Sequence, residues 1–199
     1  MHLINSDWRE NLIKRTLLAL VLSTNVIAEE KSKPEYYTGI KYGIEKSNTG
    51  GSDATKWSGN FGKHINEHFD AELYTRIKDK DSGSNDTRVE VAVIGKHKLA
   101  DDWSSSLRFG VGNKYTRTDD FGYWSITPSV KYKINDKLST KIGYRLRDAF
   151  DTKHKQNDQT IKLGLSYKIV EDTSLSAGYD WKRGDSDSNG FGIGLKFEF

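Results

Sequence analysis

Phe69-Asp70-Ala71-Glu72-Leu73-Tyr74-Thr75-Arg76-Ile77-Lys78 alternates apolar and polar side chains without a break. On an extended chain, Phe69, Ala71, Leu73, Thr75 and Ile77 share one face, and the polar partners share the other. The same period recurs along the chain. Val89, Val91 and Val93 oppose Arg88 and Glu90, and Leu107, Phe109 and Val111 oppose Arg108, Gly110 and Gly112. Trp124, Ile126, Val130 and Tyr132 interleave with Ser125, Thr127, Ser129 and Lys131. Ile142, Tyr144 and Leu146 face away from Lys141, Gly143, Arg145 and Arg147. Ile161, Leu163 and Leu165 alternate with Lys162 and Gly164, and Leu175, Ala177, Tyr179 and Trp181 with Ser176, Gly178 and Asp180. The last strand runs Phe191, Ile193, Leu195, Phe197, Phe199. The first is read over Tyr36–Glu45, and the second, Lys56–Gly62, is the weakest. About ten strands result, with twelve as the alternative count.

The connections sort into two kinds. Lys63–Glu67, Lys96–Asp102, Lys133–Asp136 and Lys168–Asp172 are tight, share a wording, and recur at an interval of roughly 35 residues, which reads as one hairpin per repeat. Ser47–Asp53, Lys80–Asp86, Thr118–Gly122, Phe150–Asp158 and Arg183–Asn189 read as longer polar loops. Short turns at one end and longer loops at the other are the asymmetry of outer-membrane barrels.

Composition agrees. Charged residues are 30 % of the 199 and the mean hydropathy is −0.74, yet aromatics reach 12 %, too many for a disordered chain. A barrel with a wet interior reconciles the two, because half of each strand is then polar. The absence of cysteine excludes a disulfide scaffold and a thiolate metal site. A net charge of +3 is too small to indicate nucleic acid. No nucleotide, haem or metal motif occurs, and no cofactor is expected.

At the N-terminus, Lys14 and Arg15 precede an apolar run from Thr16 to Ala28, too short to span a bilayer as a helix. Val26 and Ala28 stand like the small residues of a signal-peptidase site, so residues 1–28 read as an export signal, the alternative being a short core helix. Residues 29–35 are then a periplasmic segment and 36–199 the barrel.

Alternation alone does not separate a membrane barrel from a soluble one. Three features do. Aromatics on the apolar face gather near strand ends: Trp57, Tyr115, Trp124 and Trp181 toward the loops, Phe69, Trp103, Tyr132 and Tyr167 toward the turns. Glycines Gly39, Gly43, Gly110, Gly112, Gly143, Gly164, Gly178, Gly192 and Gly194 all fall on the polar face, where a crowded interior would need the room. The chain also stops at Phe199 within an alternating strand, resembling the signal read by the barrel assembly machinery. The expected class is an all-β, antiparallel, up-and-down transmembrane barrel in the bacterial outer membrane, monomeric, in contact with lipid and lipopolysaccharide.

If the apolar faces meet lipid, cations outnumber anions on the inner face by roughly ten, assigning faces by strand parity. Confined charge of one sign attracts counter-ions, and pores for anions use rings or ladders of Arg and Lys. Arg76, Arg88, Arg108, Lys131, Lys141, Arg145, Arg147 and Lys162 are the candidate solute-binding residues. Arg108, Arg145 and Arg147 lead, since a guanidinium fork matches a carboxylate. Tyr74 and Tyr123 are candidates to stack on a sugar. The opposing reading is that Asp70, Glu72, Glu90 and Asp180 bridge the cations into a sealed core. Loop acids, among them Asp86 and Asp158, read as solvated. An enzyme at the outer rim, built on His154 between Asp151 and Asp158, is a third reading and lacks an opposed acidic pair.

Trp124–Tyr132, Asn135-Asp136-Lys137-Leu138 and Gly143-Tyr144-Arg145-Leu146-Arg147, with the aromatic C-terminus, resemble the oligogalacturonate-specific monomeric porin family, whose relatives also pass sialic acid. The resemblance covers about a third of the chain and implies acidic oligosaccharides crossing a basic lumen, with Arg145 and Arg147 as the residues it carries over. The family's barrels have twelve strands, a departure that bears on pore width and substrate.

Overall fold

A computed structural model describes residues 34–199 except 84, 152, 154–156 and 185–186. The export-signal segment 1–28 and His154 lie outside the described residues. Ten strands follow one another: β1 (Tyr36–Ser47), β2 (Ala54–His64), β3 (Phe69–Lys80), β4 (Asn85–Lys98), β5 (Trp103–Tyr115), β6 (Asp120–Lys133), β7 (Leu138–Ala149), β8 (Asp158–Val170), β9 (Thr173–Gly184) and β10 (Ser188–Glu198). Each pairs antiparallel with its neighbours in sequence, and β1 closes the barrel on β10. Among the described residues the closed barrel therefore has ten strands, not twelve. Following the pairings once around returns to β1 about twelve residues from the start, a stagger that tilts ten strands by roughly 40°.

The repeated wording of the tight turns is a repeated geometry. Ile65, Leu99 and Ile134 each donate their backbone N–H to the carbonyl four residues on, at 2.9 Å. In two of these turns an asparagine fixes the reversal. Asn66 Oδ1 accepts from the N–H groups of His68 and Phe69, and Asn135 Oδ1 from those of Lys137 and Leu138, at 2.8–2.9 Å. At the opposite end the connections are less long than expected. Residues 81–84, 116–119 and 185–187 are as short as the turns, and only 48–53 and 150–157 extend beyond them. Strands continue further because Asp86, Asp120 and Asp158 pair within them. β2 is likewise longer than Lys56–Gly62: its Ser58-Gly59-Asn60 stretch carries no apolar signal but pairs continuously with β1 and β3.

The faces are inverted relative to a water-soluble sheet. On β4, Val89, Val91 and Val93 are 40–55 % exposed, whereas Arg88 and Glu90, which alternate with them, are at 3 % and 1 %. Apolar belts of this kind are stable only against lipid. Aromatic pairs mark both edges: Tyr42 with Trp57 (4.8 Å between ring centroids) and Tyr179 with Trp181 (4.4 Å) on the loop half, Trp103 with Tyr132 (4.6 Å) on the turn half. An arginine in place of Val91, midway along β4, is expected to cost ~2–4 kcal/mol of stability in a bilayer. The same substitution at exposed Lys98 should be neutral; urea titration of the refolded protein in vesicles measures both.

Candidate functional site in the barrel lumen

Alternation sends the polar side chains of all ten strands inward, but they do not fill the barrel evenly. Strands β3–β7 contribute long charged and aromatic groups. Strands β8, β9, β10 and β1 instead place Gly164, Gly178, Gly192 and Gly43 in direct register, one opposite the next. This row makes one wall nearly flat, and Lys41 lies along it: a Cβ on Gly192 would come 2.5 Å from Lys41 Cε, and one on Gly178 3.0 Å from its Nζ.

The filled side is a network of ion pairs. Glu45 accepts from Lys78 (2.6 Å) and Lys56 (3.0 Å). Arg76 pairs with Asp86, and Arg108 with both Glu72 (3.0 Å) and Glu90. Glu72 also accepts from Asn60 (2.9 Å) and from the Tyr37 hydroxyl (3.2 Å), which ties β1, β2, β3 and β5 together. Asp158 holds Lys182 at 2.7 Å, and Asp180 holds Lys162 at 2.9–3.0 Å. Near the turns, Asp70 takes both Lys96 (2.6 Å) and His64 Nδ1 (2.7 Å). His64 thus belongs to this network.

Beside the network, a cavity of about 940 Å³ runs from loop residues Thr49–Ser52 down to Lys41, against the glycines of β1 and β10. Lys162, Arg145, Lys182 and Tyr74 also line it. Lys41, Lys131, Lys141 and Arg145 make no ion pair with a described residue. Lys131 and Lys141 are direct cross-strand partners on the turn side of the cavity, and both are exposed to water within the barrel.

The eight candidate residues therefore separate. Arg145 and Lys162 line the cavity, as do Arg76, Arg88 and Arg147, while Lys131 and Lys141 are exposed outside it. Arg76 and Arg108 are bound by carboxylates, and Arg88 and Arg147 are only 3 % exposed. Tyr123, a candidate for stacking on sugar, is fully buried, with the guanidinium carbons of Arg88 and Arg147 5.6 and 4.9 Å from its ring centroid. Tyr74 borders the cavity, with Arg108 5.8 Å from its ring. Asp86 and Asp158, read as solvated loop acids, are buried in the lumen at 5 % and 1 %. Parity was the available signal, since Asp86 stands two residues before Arg88 and Asp158 two before Thr160. Lys56, Lys80 and Asp187 line the cavity as well. Outside the spanning strands, hydrogen bonds from Lys98 and Lys133 hold the turn carboxyls of Asp101 and Asp136 below the usual carboxylate range.

Residues 16–199 match the family described as outer membrane protein beta-barrel domain. No curated protein matches the sequence. Among solved structures the barrel is similar to the NanC porin, at 16 % identity over 81 % of this chain and 100 % of that one, with a TM-score of 0.53. It is similar also to an outer membrane channel from Pseudomonas putida F1, at 6 % identity over 88 % and 100 %, with a TM-score of 0.54. A KdgM porin in complex with disordered oligogalacturonate is 16 % identical over 82 % and 99 %, with a TM-score of 0.44. At such identities the likeness is one of fold.

Proposed function

The chain belongs to the outer membrane protein β-barrel domain family of the bacterial outer membrane, and on that premise we propose that it is a passive channel for small anions or acidic saccharides. The uneven filling of the lumen carries this reading. A barrel built to be sealed has no use for a flat glycine wall beside cations held by no ion pair with a described residue. Arg145 and Lys41 in the cavity, with Lys141 and Lys131 nearer the periplasmic turns, form a ladder along which an anion exchanges one partner for the next. Arg76 and Arg108 serve instead to hold the filled side rigid. The porin named among the similar structures is consistent with this use of the fold. Residues 1–28 act as the cleaved export signal, the C-terminal strand is the segment offered to the assembly machinery, and the barrel works as a monomer without a cofactor or catalysis.

The second reading, a structural or adhesive barrel, draws on the ion-pair network, which occupies the other half of the lumen. Conductance separates the two. In a planar bilayer under a salt gradient, the refolded protein is expected to open in discrete steps with an anion-selective reversal potential. In Lys41→Ala/Arg145→Ala the anion preference should fall at least about twofold with unchanged folding. A silent bilayer with a fully folded barrel would put the structural reading first.

A further inference from the structure

The outward face of the barrel carries a recess of its own, at the loop end of β7–β10. Tyr144, Ile161, Trp181 and Asn189 stand in direct register across these strands, and one step nearer the loops Gln159 faces Arg183. Parity turns all of them away from the lumen, toward the membrane side. Ile161 is smaller than the two aromatic residues that flank it, so the row dips at β8. A cavity of about 600 Å³ occupies the dip, lined by these residues and by Asn48 of the β1–β2 connection. That is ample for part of a small amphiphile.

The recess changes character along the strands. Its floor is apolar: Tyr144, Ile161 and Trp181 are all exposed, and Leu163 and Leu165 continue the β8 column toward mid-membrane. Its rim, two residues or roughly 6–7 Å higher, is polar. Gln159 Oε1 accepts from the Tyr144 hydroxyl at 2.7 Å, so its amide nitrogen remains as a donor. Arg183 is exposed, and its side chain makes no hydrogen bond or ion pair with a described residue. Asp187 also lines the recess, but its Oδ1 accepts from the Gly184 N–H at 3.2 Å and serves its own turn. Charge around the outward loop edge is uneven as well. Asp79, Asp120 and Asp148 stand at the outward ends of β3, β6 and β7, whereas this side carries Arg183 and, beside Asn189 on β1, Lys46.

We propose that this recess binds one phosphorylated glycolipid of the outer leaflet, with its phosphate on Arg183, sugar hydroxyls on Gln159 and Asn189, and an acyl chain laid over Ile161 between Tyr144 and Trp181. A guanidinium fork matches a phosphate, and side-chain amides exchange hydrogen bonds with hydroxyls in either direction. The apolar floor runs on into the bilayer, which a free anion does not need. The site rests on the outer-membrane location and not on conduction, so a silent bilayer leaves it standing.

The test titrates the whole chain, refolded in detergent, with the phosphorylated, multiply acylated glucosamine disaccharide that anchors lipopolysaccharide, and native mass spectrometry counts the bound lipid. A single adduct is expected to form first, and the same lipid stripped of its phosphates should bind at least about tenfold more weakly. Arg183→Gln and Ile161→Trp should each weaken the intact lipid about tenfold, the first through the phosphate and the second by filling the dip. Arg117→Gln removes an exposed cation from the β5–β6 connection and should change nothing. Equal binding of the two lipids, or equal losses in Arg117→Gln and Arg183→Gln, would mean diffuse attraction and overturns the site. Unchanged affinity in Ile161→Trp would mean that only the phosphate is held, as a free phosphate would be, and overturns the lipid. All three substituted residues are exposed, and mobility of unheated samples on gels shows that each variant has folded.

Discussion

Glu90→Ala is expected to destabilise the folded barrel by ~3–5 kcal/mol, more than any other single loss of a lumen side chain. Glu90 is 1 % exposed and is where the filled wall converges. Arg108 donates to it from β5, Ser125 from β6 at 3.3 Å, and Arg147 approaches from β7 at 3.8 Å. Removing the carboxylate leaves two guanidinium groups in the interior without their common counter-charge. The cavity left behind cannot close, because Glu90 packs against glycine: a Cβ on Gly110 would lie 2.5 Å from Glu90 Oε1, and one on Gly112 3.0 Å from Glu90 Cβ. Gly110→Ala attacks the same point from the other side and should be destabilising in its own right. Urea titration of the protein refolded into vesicles, read by tryptophan fluorescence and by mobility of unheated samples on gels, measures both. A Glu90→Ala barrel within about 1 kcal/mol of the wild type would mean that the network does not hold this wall.

Much of this fold is legible in the alternation, because a period of two, a bilayer and closure leave few other arrangements. The inward and outward faces of β3–β10 follow from it residue by residue. Errors arise where a residue's chemistry pointed one way and its parity another. Asp86 and Asp158 lie beside turn residues and read as solvated, yet each extends the alternation of its strand by one inward step. β2 is faint for the opposite reason. Ser58, Gly59 and Asn60 carry no hydrophobic signal, and pairing on both sides makes the strand. The site is less legible than the fold. Arg145 and Arg147 share a strand, a face and a chemistry, and sequence ranks them together. Both line the cavity, but Arg145 is half-buried and donates to Thr160 at 3.1 Å, whereas Arg147 is 3 % exposed and packed against Tyr123. That difference is made by what β6 and β8 place beside them, which period and spacing do not encode.

The glycines make the same point, and they separate the channel from its scaffold. Gly110 and Gly164 are both inward-facing glycines at mid-strand, indistinguishable in the sequence pattern. Around Gly110 the space is taken by Glu90, whereas a Cβ on Gly164 would meet nothing nearer than Lys141 Cβ and backbone oxygens at 3.9–4.0 Å. Gly164→Phe should therefore fold as the wild type does, since its first side-chain atom makes ordinary contacts and its ring extends into open lumen. That ring would stand between Lys141 on β7 and the glycine wall of β9 and β10, across the route proposed for an anion between Arg145 and Lys131. Single-channel conductance is expected to fall by roughly an order of magnitude, without the loss of stability that Gly110→Ala brings. The two substitutions thus exchange phenotypes, one closing a folded barrel and the other loosening its filled wall. A Gly164→Phe barrel that conducts as well as the wild type would move the pathway off the glycine wall, because no bulk added there would then obstruct it.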